Sequence, residues 1–184
     1  MATLSPRCSS DQLAAEAGVT AAQVRKDFSY LGSHGTRGVG YEIEDLIGLI
    51  RNVLDMTRSH PVIIIGAGNL GSALTNYKGF ATWGFEIVAL VDVDESKIGT
   101  KVDGLVIEPF HRVKDIVRNK QVEIAVLATP PSAAQAAADQ LMDAGVKSIL
   151  NLAPVILKTA EDVSVRRVDL STELGILAYH LARP

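Results

Sequence analysis

PVIIIGAGNLG (61–71) compresses a strand, a turn and the start of a helix into eleven residues. The apolar run 61–65 reads as a buried strand, and the glycines at 66, 68 and 71 have GxGxxG spacing. In that context Gly66 permits the tight turn, Gly68 lets a pyrophosphate approach the backbone, and Gly71 lets the helix pack close to the strand. The helix start also offers unpaired N–H groups to phosphate. Gly66, Ala67, Gly68, Asn69, Leu70 and Gly71 are therefore candidate cofactor contacts. Further out, Asp92 lies 21 residues beyond Gly71, closing the apolar run FEIVALV (85–91). A carboxylate there accepts hydrogen bonds from an adenosine ribose and repels a 2′-phosphate. No arginine occurs in DVDES (92–96), so NAD(H) is expected over NADP(H).

Strand and helix patterns alternate from Pro61 onward. Leu70–Trp83 reads as a helix, Phe85–Val91 as a strand, Pro109–Asn119 as a helix, and VEIAVLA (122–128) as a strand. Ser132–Ala144 is an alanine-rich helix, followed by strands at SILNL (148–152) and VSVRRV (163–168). Continuous apolar strands between helices predict a parallel sheet covered on both faces, a Rossmann-type doubly wound α/β domain. ATPP (128–131) and NLAP (151–154) fall at strand ends, where such a cleft forms. Position alone fits ligand contact and simple punctuation of the strand equally well.

The front of the chain has a different rhythm. SSDQLAAEAGVTAAQVRKDFSYL (9–31) reads as helix–turn–helix, with Ser9/Gln12 and Thr20/Gln23 as capping boxes and Gly18 as the turn. Leu13, Ala14, Ala17, Val24 and Phe28 would close the helix pair. Arg25 and Lys26 would then sit in the first turns of a helix able to enter a major groove. GSHGTRGVGY (32–41) suits a β-wing with Arg37 at its tip, and Glu42–Leu54 forms an amphipathic helix with Ile43, Leu46, Ile47, Ile50 and Leu54 on one face. A helical hairpin with exposed basic residues fits this front segment as well.

Composition narrows the function classes. The 184 residues are 47% hydrophobic and 21% charged, enough apolar content for a packed core. A net charge of −3 gives no global case for nucleic-acid binding, although residues 1–41 carry four Lys/Arg against three Asp/Glu. Cys8 is the single cysteine, which excludes an internal disulfide and a cysteine-built zinc site. No apolar run approaches a membrane span, and a cytoplasmic protein is expected. Hydride transfer needs an acid/base beside the substrate. The four histidines are isolated and no Tyr-x-x-x-Lys pair occurs, so no catalytic residue, no metal and no enzymatic activity are expected.

GVTAAQVRKDFSYLGSHGTRGVGY (18–41), GAGNLGSALTNYKGF (66–80), VDVD (91–94), ATPPSAAQ (128–135), ILNLAPV (149–155) and VDLSTELGILAYH (168–180) together resemble the redox-sensing transcriptional repressor Rex family. The resemblance runs from about Ser9 to the C-terminus. It implies a winged helix-turn-helix over 1–58, a Rossmann NAD(H)-binding domain over 59–168, and a C-terminal helix over 169–184 swapped in a homodimer. It implies a repressor that binds a palindromic operator duplex and is released by NADH. Carried over residue by residue, Arg25, Lys26 and Ser29 lie on the recognition helix and Arg37 on the wing. Thr129, Pro130, Asn151, Ala153 and Pro154 lie near the nicotinamide. Tyr77 takes part in the redox switch, and Asp169 reaches the same pocket from the other subunit's C-terminal helix. Leu170, Leu174, Leu177 and Leu181 form an apolar stripe on that helix. The chain departs from the family at its front, where MATLSPRC stands in place of a further helix, so the winged helix is expected to be incomplete. Two other functions compete: an NAD(H)- or CoA-binding module without DNA contact and, ranked lower, an NAD-dependent oxidoreductase.

Overall fold

The computed structural model describes residues 7–32, 35 and 39–181 and divides the chain into two compact units, Met1–Arg58 and Ser59–Pro184.

In the first unit β1 (Arg7–Cys8) pairs antiparallel with β2 (Tyr41–Glu42), alongside α1 (Ser10–Ala17), α2 (Ala21–Tyr30) and α3 (Ile43–Val53). The Ser9 hydroxyl accepts the Gln12 N–H at 3.1 Å while the Gln12 amide oxygen accepts the Ser9 N–H at 2.8 Å, a complete capping box. Gly18 ends α1 in the left-handed region at φ 66°. The second box is only half formed. Thr20 accepts the Gln23 N–H, but the Gln23 side-chain amide turns away to Asp27 at 2.6 Å.

Ala14 and Val24 are buried between the helices, and the buried Tyr41 ring meets Phe28 edge-on at 5.1 Å. Ala17 is exposed because α1 ends there and the chain turns away. Of the apolar face expected on α3 only Leu46 is buried, while Ile47 is 42% and Leu54 58% exposed. Gly40 has φ +93°, and a Cβ there would collide with the Cys8 carbonyl, so glycine is what lets β2 approach β1.

The second unit runs β3 (His60–Ile65), α4 (Asn69–Thr75), α5 (Gly79–Thr82), β4 (Phe85–Asp92), β5 (Lys101–Val102) and β6 (Leu105–Pro109). A 3-10 turn, α6 (Val113–Asn119), β7 (Ile124–Leu127), α7 (Pro131–Asp143), β8 (Ser148–Asn151), β9 (Ser164–Arg167) and α8 (Leu170–Leu181) follow. The sheet order is β5-β6-β4-β3-β7-β8-β9, with every pair parallel except β5–β6. Counting only the parallel strands, that is the 3-2-1-4-5-6 order of a dinucleotide-binding sheet, which reverses direction at β3. The Rossmann expectation therefore holds.

One sheet face packs Ile63, Ile65, Val91 and Leu127 against Val113, Ile116, Ala137, Ala138 and Leu141 of α6 and α7. The alanines let α7 lie close to the strands. The other face packs Val62, Ile64, Leu90 and Val126 with Leu74 of α4. Where β4 slips register past Val62, the Val88 carbonyl accepts the Lys120 ammonium at 2.8 Å, so the bulge leaves that acceptor satisfied.

Two elements depart from the sequence pattern. The helix expected over Leu70–Trp83 breaks between Thr75 and Gly79. The Thr75 hydroxyl and the Asn76 amide donate to the Gly71 and Ser72 carbonyls at 2.9 and 2.8 Å, and Tyr77 N–H bonds back only to Leu74, tightening the last turn. Strands β5 and β6 escape the pattern because they are short and mostly half-exposed; their hairpin turns through Asp103 and Gly104, both at positive φ. Helix α8 has no buried residue, and Leu170, Leu174 and Leu177 are 62, 67 and 61% exposed. Among the described residues no helix is long and apolar enough to cross a membrane.

Candidate functional site

The ends of β3, β4, β6 and β7 open onto a cleft of about 680 Å³. The glycine turn supplies its floor. Gly66 has φ +101°, and a Cβ on it would press into the Ala128 carbonyl. A Cβ on Gly71 would fall on the Gly66 carbonyl oxygen, so this glycine brings α4 against the turn. Gly68 differs: a Cβ there meets no protein atom within 4 Å. Its lack of a side chain serves no internal packing and leaves room beside the start of α4, where Asn69 and Leu70 also line the cleft.

Asp92 closes the opposite wall. It is 8% exposed, and its carboxylate accepts the Ala67 N–H at 2.7 Å and the Asp94 N–H at 2.9 Å, with the Lys97 ammonium 3.4 Å away. Burial pushes this carboxyl up, but the Asp94 and Ala67 N–H groups and the Lys97 charge outweigh it and hold it below the usual carboxylate range. Asp92 thus fastens the glycine turn to β4 while facing the cleft. A depressed carboxyl stabilises the fold above its unfolded value of about 4 and loses that contribution as pH falls through the folded value. Asp92→Asn leaves a buried N–H without its acceptor, so a loss of about 1–3 kcal/mol is expected at pH 7. In paired thermal melts the gap between variant and wild type should close as pH falls below about 4.

On the far wall, Thr129 and Pro130 follow β7 and line the cleft. The Thr129 hydroxyl is buried without a hydrogen-bond partner, a single such group among the described residues. A buried hydroxyl of this kind costs free energy unless a ligand meets it. The open space at Gly68, the helix start and this hydroxyl suit a phosphate-bearing ligand with a polar group at its far end. Residues present therefore fit a dinucleotide.

The remaining expected site residues are not on the cleft wall. Asn151 is fully buried, and its side chain is occupied by its own loop, donating to the Val155 carbonyl at 2.8 Å and accepting the Ala153 N–H at 3.0 Å. Ala153 is buried beside it and Pro154 is exposed. The Tyr77 ring lies over Gly79, edge-on to Phe80 at 5.1 Å, and is 60% exposed. Asp169 accepts the Ser171 N–H at 3.0 Å just before α8.

The sequence reading missed Val93, Asp94, Lys97 and Phe110, which do line the cleft. Asp94 and Lys97 follow Asp92 within five residues, so the run DVDESK carried a signal for them. Phe110 follows β6, which the pattern did not reveal.

In the first unit, α2 presents Lys26 to solvent with no ion pair among the described residues. Arg25 donates to the Ser10 hydroxyl at 2.9 Å, tying α2 to the start of α1. The Ser29 hydroxyl donates to the Lys26 carbonyl at 2.6 Å. Arg37 lies outside the described residues.

Comparisons with known proteins cover both units. Residues 57–155 match the family model of the CoA binding domain, and residues 5–29 match a model of a DNA-binding protein N-terminus. The redox-sensing transcriptional repressor Rex of Streptomyces coelicolor is 52% identical over 178 residues, 97% of this chain and 69% of the relative. Its counterpart in Syntrophomonas wolfei is 48% identical over 95% of this chain and 83% of its own. The crystal structure of RSP with β-NAD⁺ and operator DNA superposes with a TM-score of 0.91 at 36% identity, covering 96% of this chain and 81% of that one. RSP with β-NADH gives 0.85 at 35%, covering 96% and 82%.

Proposed function

Because the chain belongs to the Rex family of redox-sensing transcriptional repressors, we propose that it binds operator DNA as a homodimer and leaves it when NADH replaces NAD⁺. The observation that carries this reading is the agreement in fold, over 96% of the chain, with a repressor holding both β-NAD⁺ and operator DNA. The site residues expected from the sequence are part of the proposal. Gly66, Gly68 and Gly71 with the start of α4 would hold the pyrophosphate, Asp92 the adenosine ribose, and Thr129 and Pro130 the nicotinamide end.

Bound dinucleotide supplies two redox forms that differ by one positive charge on the nicotinamide ring. Only residues that treat those forms differently can turn this into a signal. Tyr77, and Asp169 of the partner subunit, are proposed for that role. Helix α2 would read the duplex through Lys26, with Arg25 and Ser29 beside it and Arg37 on the wing. In a homodimer the two recognition helices dock together only at a fixed half-site spacing, so a small rearrangement suffices for release. The dinucleotide is read and not consumed, and the protein would act in the cytoplasm, where its operator is.

A second reading is a dinucleotide- or CoA-binding module without DNA contact. The small core of the first unit, with Ala14, Val24, Tyr41 and Leu46 as its buried apolar residues among those described, favours it. Fluorescence anisotropy on a palindromic operator-like duplex, with NADH or NAD⁺ added, separates the two. Retention relieved by NADH and not by NAD⁺ is the expected result. Tight NADH binding with no retention at any salt would favour the second reading.

A further inference from the structure

At the Asp92 end of the cleft one ammonium stands between two carboxylates. Lys97 Nζ is 3.4 Å from Asp92 Oδ2 and 3.5 Å from Asp94 Oδ2, and all three side chains line the cleft. The two carboxylates differ in their freedom. Asp92 is buried, and each of its oxygens accepts a backbone N–H. Asp94 is 43% exposed at its side chain. Its Oδ1 accepts both the N–H and the hydroxyl of Ser96, at 3.0 and 2.6 Å, which leaves Oδ2 to the lysine.

We propose that Asp94 is a specificity-determining residue, which denies the site to 2′-phosphorylated adenosine by holding the Lys97 ammonium. The inference rests on the reading of the cleft as an NAD(H) site. Discrimination against NADP(H) is usually assigned to the carboxylate ending the second strand and to the lack of a nearby cation. Here a cation is present, within reach of Asp92. Two carboxylates and one ammonium leave a net negative charge, so a phosphate dianion meets repulsion. Without the Asp94 charge the balance is neutral, and Lys97 has lost its more exposed partner and can turn to a phosphate. Asp92 attracts the same ammonium, but it also anchors the glycine turn, so Asp94 is the carboxylate whose charge can be removed without loosening the floor of the cleft.

The test is a double-variant cycle on the full chain: wild type, Asp94→Asn, Lys97→Met and the combination, with NADH and NADPH affinities measured by calorimetry. Asparagine retains the oxygen that Ser96 bonds, so the loop keeps its hydrogen bonds, and a thermal melt of the free protein checks this. Asp94→Asn should raise NADPH affinity about tenfold, and Lys97→Met in the same chain should abolish the gain. Unchanged NADPH affinity in a folded Asp94→Asn, alongside NADH binding by wild type, would overturn the inference alone. A wild type that binds neither dinucleotide would overturn the reading beneath it.

Discussion

Gly68→Ala should lower NADH affinity about a hundredfold while shifting the melting temperature of the free protein by no more than about 3 °C. The backbone at this residue is extended, with φ −79°, a conformation open to any L-residue. A methyl group on it meets no protein atom, so the fold has no objection. The same methyl enters the space proposed for the pyrophosphate, where the backbone must come closest to the ligand. Operator binding by this variant should persist at NADH concentrations that release the wild type. Gly71→Ala provides the contrast. Its Cβ lands on the Gly66 carbonyl oxygen, backbone that cannot move aside, and a loss of about 1–3 kcal/mol in stability is expected. Calorimetric titration with NADH and a thermal melt distinguish the two outcomes. Equal affinity in wild type and Gly68→Ala would remove the glycine turn from the proposed site.

The second large effect lies on α2. Lys26→Ala should weaken operator binding about tenfold or more at moderate salt. In a homodimer it should also lower the slope of log affinity against log salt by about 2, one phosphate contact per subunit. Lys26 is the cleaner target because it is exposed and unpaired among the described residues, whereas Arg25 also ties α2 to Ser10. Anisotropy titrations at several salt concentrations measure both quantities. A variant with reduced affinity and an unchanged slope would point to damage within the helix pair and away from phosphate contact.

The parts of this molecule that were legible in the sequence are those where the backbone itself demands a residue type. The glycines at 66 and 71 answer a positive φ and a carbonyl in the way, and Gly18 answers a left-handed helix end, so spacing alone locates them. The Ser9 box is local for the same reason. Features set by distant contacts were harder to read. Residues 76–78 are helix-compatible, yet α4 ends at Thr75: the Asn76 side-chain amide shares the Ser72 carbonyl with its own N–H, and the Tyr77 N–H reaches back only to Leu74. Strands β5 and β6 are too short for an alternation to register. Phe110 reaches the cleft from the 3-10 turn after β6, a placement that depends on the sheet order. Asn151 was recognisable as a polar residue ending a strand; that its amide is occupied by the loop from Ala153 to Val155 follows only from the folded chain.

Strand β3 pairs with β4 on one edge and β7 on the other, Val62 facing both Ile87 and Ile124. During synthesis the second of these partners leaves the ribosome long after the first. Until then β3 is an apolar strand with one open edge, the kind of segment on which nascent chains aggregate or recruit chaperones. The glycine turn, Asp92 and Thr129 also come from the three separate strands, so no early intermediate carries the complete proposed site. A dinucleotide bound at that proposed site would engage only chains that have finished this non-local pairing, and would draw newly made protein toward its folded state by mass action.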